Sequence, residues 1–108
     1  MRTPAAVEAF APWLSAEGLA SVYDPAAVGR ARAYASDGSV LRLDVDVVDS
    51  EFLAVDGEVA GSGARPYRTS VSIELDRGRA VVTADCSCPV GWECKHGAAL
   101  LLCLGRTL

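Results

Sequence analysis

Three of the four cysteines in this chain and its single histidine lie in one short run, Cys86-Ser87-Cys88-Pro89-Val90-Gly91-Trp92-Glu93-Cys94-Lys95-His96, with the spacing C-x-C-x5-C-x-H. Thiolate and imidazole are the ligands zinc prefers, and Cys86, Cys88, Cys94 and His96 together complete a tetrahedral Cys3His set. An ion held by four protein ligands has no position left for water or substrate, so the spacing predicts one structural Zn2+, not a catalytic one. The chain has 108 residues and can bury only a small core. Metal binding is worth roughly 10 to 16 kcal/mol in zinc-finger peptides, comparable to the whole stability of such a domain, so the ion dominates what this chain can fold into.

The ligand spacing carries local demands. Alternation along a strand places Cys86 and Cys88 on one side but about 6.6 Å apart, so the strand end has to bend for both sulfurs to reach one ion. Ser87 is small, Pro89 removes a ladder donor, and Pro89-Val90-Gly91 reverses the chain. Cys94 falls just before a closing helix and His96 in its first turn, where free amides and the helix dipole favour a thiolate. Three thiolates and a neutral imidazole around Zn2+ leave a net charge near minus one, which Lys95 is placed to offset.

Other uses of these cysteines are buried apolar residues, redox or iron-sulfur chemistry, and a Cys86 to Cys88 disulfide, which would be strained. Zinc-deaminase chemistry lacks its H-x-E and P-C-x-x-C strings. Cys103 stands seven residues past His96, about 10 Å along a helix axis, outside the ligand set; it reads as a buried helix cysteine.

The rest of the chain predicts an α+β fold. Thr3-Pro4 and Asp24-Pro25 are helix starts. Val7, Phe10 and Leu14 share a helical face, but Pro12 and Gly18 predict a broken first helix. The second runs from Pro25 to about Ser36, with Val28, Ala31 and Ala35 on one face and Gly38 as a stop. Beyond Gly38 the period becomes two: Leu41, Leu43, Val45 and Val47 alternate with charged residues, 52–59 is a less regular strand, and Tyr67 to Leu75 alternates cleanly. Asp76-Arg77-Gly78 reads as a hairpin turn into a fourth strand ending at Cys86. Lys95 to about Leu104 is the terminal helix, with His96, Ala99, Leu100 and Cys103 on one face. The expected organisation is one domain, 1–108, with a helical part (1–37), an antiparallel meander of about four strands (38–85) and a zinc knuckle with its helix (86–104).

The chain begins without a cationic segment and long apolar run, and no stretch reaches membrane-spanning length, so a reducing compartment is expected, the cytoplasm or a eukaryotic nucleus. The formal charge is -4, and residues 37–58 carry seven acidic side chains against Arg42 alone, which disfavours a broad phosphate-binding face. Candidates for a small nucleic-acid patch are Arg65, Arg68, Arg77, Arg79 and Lys95, with Trp92 as a stacking ring; the competing reading is solvated strand arginines and a packed tryptophan. No nucleophile motif is present and the one histidine is committed to metal, so no enzymatic activity and no small-molecule substrate are expected.

The C-x-C-x5-C-x-H string, preceded by strands and followed by an apolar helix, resembles the SWIM zinc finger. The resemblance assigns Cys86, Cys88, Cys94 and His96 as zinc ligands, in agreement with their chemistry. Upstream, Val28-Gly29-Arg30-Ala31-Arg32-Ala33-Tyr34 and Gly38-Ser39-Val40 are similar to the segment preceding the finger in bacterial SWIM proteins, some of which carry a Swi/Snf-type helicase-like ATPase. The resemblance implies an interaction module that binds protein or DNA. A protein partner, with the module as an accessory or amino-terminal part of such an ATPase system, is the favoured expectation, and direct nucleic-acid binding through the arginines is the alternative. The chain itself has no G-x-x-x-x-G-K-[ST] phosphate loop, so any ATPase would belong to a partner or a longer parent.

Overall fold

The computed structural model describes residues 4–61, 63–89 and 94–108. The amino-terminal part is helical in three pieces. A 3-10 helix, Ala5–Trp13, is followed by α1 (Ala16–Ala20) and α2 (Pro25–Ser36). The first helix is broken as expected, but the break falls after Trp13 and not at Pro12, which lies inside a first piece of the tighter 3-10 winding. Thr3 lies outside the described residues, and Pro4 sits at the cap position without a side-chain cap. Val7, Phe10 and Leu14 are nonetheless all buried, as their spacing predicts. In α2 the sequence signals hold: the Asp24 carboxylate accepts from the Ala26 amide at 3.3 Å, Pro25 opens the helix, and Gly38 takes a positive φ of 86° just beyond it.

Four strands, β1 (Val40–Val48), β2 (Phe52–Val59), β3 (Tyr67–Asp76) and β4 (Arg79–Cys86), form one antiparallel sheet in the order β1-β2-β3-β4. Together with the helices this is an α+β fold. β1 departs from strict alternation. Register shifts at Val40/Arg42 and Val45/Val47 turn Leu41 and Val47 outward, 58% and 46% exposed, and bring Val40, Leu43, Val45 and Val48 to the core. Bulges of this kind flip the face of every residue beyond them, which a periodicity argument cannot see. β2, the less regular string, alternates without exception: Leu53, Val55, Gly57 and Val59 are all buried. Arg77 and Gly78, with φ of 54° and 79°, make the two-residue turn between β3 and β4.

One face of the sheet is covered by α3 (Lys95–Gly105), and α2 packs on the opposite side of α3. A helix covered on both sides is apolar nearly all round, and Ala98, Ala99, Leu100, Leu101, Leu102 and Leu104 are all buried. Cys103 is the exception: it is half-buried, not the core cysteine the sequence suggested, because it lies between the two covered faces. Gly57 lets α3 approach β2. A Cβ there would stand 2.4 Å from the Arg42 carbonyl oxygen and 2.7 Å from Leu100 Cδ2.

Candidate metal centre

β4 ends at Cys86, and the β3–β4 ladder runs one residue further. The Ser87 amide donates to the Arg68 carbonyl at 3.1 Å, and the Ser87 hydroxyl accepts from the Arg68 amide at 3.0 Å. This anchors the chain between Cys86 and Cys88, where the strand gives way to a bend. Cys94 occupies the cap position of α3 in an extended conformation, and His96 is in the first turn. The ends of β4 and α3 thus carry all four side chains to one place, with ligand atoms within 4.8 Å of one another and every residue buried.

These residues fit zinc. Bonds of about 2.3 Å to sulfur and 2.0 Å to nitrogen put tetrahedral ligands about 3.5 to 3.8 Å apart. Cys86 Sγ and His96 Nδ1 are already 3.6 Å apart. His96 Nε2 is buried with no hydrogen-bond partner among the described residues. Burial, reinforced by the Lys95 charge, moves the imidazole below its usual range, which keeps the ring neutral as a ligand must be. Burial also pushes the Cys94 thiol up to about 12, and the neighbouring Cys86 and Cys88 sulfurs push it the same way.

The surrounding shell was less legible. Tyr23, between α1 and α2, is buried and its hydroxyl donates to the Cys94 carbonyl at 2.7 Å, across 71 positions of sequence. Gly97 makes room for this, since a Cβ would lie 3.0 Å from the Tyr23 hydroxyl and 2.9 Å from the Ala84 Cβ. The buried Thr69 hydroxyl is 3.2 Å from Cys86 Sγ. The His96 ring sits between Tyr67, with centroids 4.7 Å apart, and Tyr34, edge-on at 5.5 Å. Groups of this kind orient ligands and tune the metal. Thr69 and Tyr67 had only their core-facing parity to mark them, and Tyr23 had no local signal at all.

Residues 67–105 match the family model of the SWIM zinc finger. This segment is a SWIM zinc finger. It contains β3, β4 and α3 and holds one structural zinc through its Cys3His set. Searches of curated proteins and of solved structures found no match to the chain. The finger is not self-sufficient here: β1, β2 and the amino-terminal helices complete the core that its helix fills. Among the described residues, no helix is long and apolar enough to cross a membrane.

The residues considered for nucleic acid are dispersed. Arg77 and Arg79 are at the hairpin end of β3 and β4, seven strand positions or roughly 23 Å from Cys86. Arg65 is exposed before β3, and Arg68 stands opposite Glu58 on the uncovered face of the sheet. Lys95 reaches over the Tyr34 ring, 4.9 Å from its centroid. Trp92 lies outside the described residues. Arg42, on the same uncovered face, is surrounded by carboxylates: it pairs with Asp44, with Asp56 at 3.0 Å and with Glu58 at 3.2 Å.

Proposed function

We propose that this chain is a non-catalytic, zinc-stabilised interaction module that docks on a protein, acting as an accessory or amino-terminal part of a Swi/Snf-type ATPase system. The observation that carries the docking reading is a cleft of about 390 Å³ against the zinc centre, walled by Tyr34, Tyr67 and Pro89 and flanked by Arg30, Lys95 and Asp24. Aromatic walls with a few charged groups at the mouth suit a protein segment carrying an apolar side chain and a carboxylate. Cys88, Cys94 and His96 also line this cleft, so the metal site and the docking surface share residues. The ATPase context rests on the likeness of residues 28–40 to the segment that precedes the finger in bacterial SWIM proteins. The separation of Arg77 and Arg79 from Lys95, and the carboxylates around Arg42, count against a continuous phosphate-binding face.

The test has two arms. Affinity for single- and double-stranded DNA is measured against salt: a flat response supports the protein reading, and a steep slope abolished by R77A/R79A overturns it. Co-purification from the native host is compared between the wild type and R30E/K95E, both loaded with zinc. An ATPase retained by the first and lost by the second supports the proposal; equal recovery from both shows that the cleft is not the docking surface.

A further inference from the structure

The two edges of the sheet are not alike. β1 is interrupted by two register shifts and carries Asp44 and Asp46, features that keep an edge from accepting another strand. β4 has no register shift, and its two charged side chains, Arg79 and Asp85, are opposite in sign and flank an apolar middle. Arg79-Ala80-Val81-Val82-Thr83-Ala84-Asp85-Cys86 pairs with β3 without a shift and contains no proline or lysine, and no other strand among the described residues pairs on its far side. Val81 is 52% exposed, and Ala80 and Val82 are half-buried.

Hydrogen-bond parity fixes which groups face outward. The two-residue turn makes Asp76 and Arg79 the bonded pair that closes the hairpin, and the bond from the Ser87 amide to the Arg68 carbonyl has the same parity at the other end. The odd-numbered residues of β4 therefore bond β3, and the amides and carbonyls of Ala80, Val82 and Ala84 point away from the sheet. A second β4 approaching antiparallel has to match even positions with even positions. The register with the longest overlap is centred on Val82. It sets Val82 against Val82, Ala80 against Ala84, Val81 against Thr83, and Arg79 against Asp85 of the second copy. The last is a charge match that the two-fold axis makes twice. Arg79 and Asp85 are both exposed, and among the described residues the ion pairs gather on Arg42 and use neither of them.

We infer that β4 is a self-association edge, through which two copies of this chain join antiparallel into one continuous eight-stranded sheet. The seam contributes about six backbone hydrogen bonds and sets valine and alanine side chains against each other in its middle. A two-fold axis normal to the sheet leaves both helical layers on one side and both uncovered faces on the other. The two zinc centres then stand at opposite ends of the seam, roughly 25 Å apart along the strand direction. A single-strand seam is a small interface, so the dimer forms with a dissociation constant on the order of micromolar.

Sedimentation velocity of the zinc-loaded chain, from about 5 to 500 µM, reads this directly. The expected result is a monomer–dimer equilibrium. R79D and D85R each place like charges opposite one another twice and should weaken association about tenfold or more, and R79D/D85R should restore it. Zinc content and melting temperature should stay at wild-type values in all three. A80P removes an outward-facing amide without breaking the β3 ladder, and should abolish the dimer. A chain that stays monomeric throughout this range, or a dimer indifferent to both A80P and the charge reversals, or reversals that the double variant does not repair, overturns the inference.

Discussion

Tyr23→Phe isolates the link between the amino-terminal helices and the metal. The substitution deletes one oxygen and the hydrogen bond it donates at 2.7 Å to the Cys94 carbonyl, in a buried setting. That carbonyl still receives the Ala98 amide, at a long 3.4 Å, so it is weakened and not orphaned. The loss should therefore be about 1 kcal/mol, at the level of a net hydrogen bond, and not the two- to threefold larger cost of an unsatisfied buried group. For a chain of this length, 1 kcal/mol lowers the melting temperature by roughly 4 °C. Because the bond holds a ligand residue in its liganded position, the same free energy should appear as about a fivefold weaker zinc affinity. Thermal melts of the zinc-loaded protein and competition with a chelating indicator measure the two quantities. Equal melting temperature and equal zinc affinity in Tyr23→Phe and wild type would refute the reasoning, since the bond would then play no part in placing Cys94.

Cys94→Ser and His96→Ala leave an incomplete set and should lose bound zinc and the stability it adds, read as a thermal transition lowered to that of the metal-free chain; Cys103→Ala, at a half-buried position, should change stability by less than about 1 kcal/mol. Gly57→Ala drives a methyl into the Arg42 carbonyl and Leu100 and should cost about 2 to 3 kcal/mol in urea denaturation with zinc content kept. The Cys94 thiol is raised from 9.0 to about 12 in the folded, metal-free chain, so its protonated form contributes stability that is complete below pH 9 and lost as pH rises toward 12. Denaturation of the metal-free chain against pH should show that decline. Zinc binding should follow the opposite trend, tightening with pH as thiol protons are released. Calorimetry in buffers of different ionisation enthalpy should detect the Cys94 proton released when zinc binds.

The zinc ligands were fully legible because metal chemistry restricts both residue type and spacing within a few positions. α2, β3, the hairpin turn and α3 were legible because capping, alternation and turn preferences are local. β1 was misread at its ends: two bulges reverse the facing of Leu41 and Val47, and their cause lies in pairing with β2, not in the strand's own pattern. β2 was undervalued because Gly57 breaks the apolar rhythm, yet that glycine is where Leu100 enters. Cys103 shares a face with His96 by spacing, but a helix clasped between sheet and helix has its exposed strip set by both neighbours. Tyr23 and Tyr34 reach Cys94 and His96 only through tertiary packing, so no local pattern reveals these contacts.

The position of α3 also orders events during synthesis. It is the last element described, yet it is the layer that both the sheet and α2 rest on. While a ribosome still holds residues 94–105, the sheet's apolar side lacks the helix it closes against and two of the four ligands are hidden in the exit tunnel. Vectorial folding from the amino terminus therefore stalls before the core forms, and the nascent chain depends on metal and final helix arriving together.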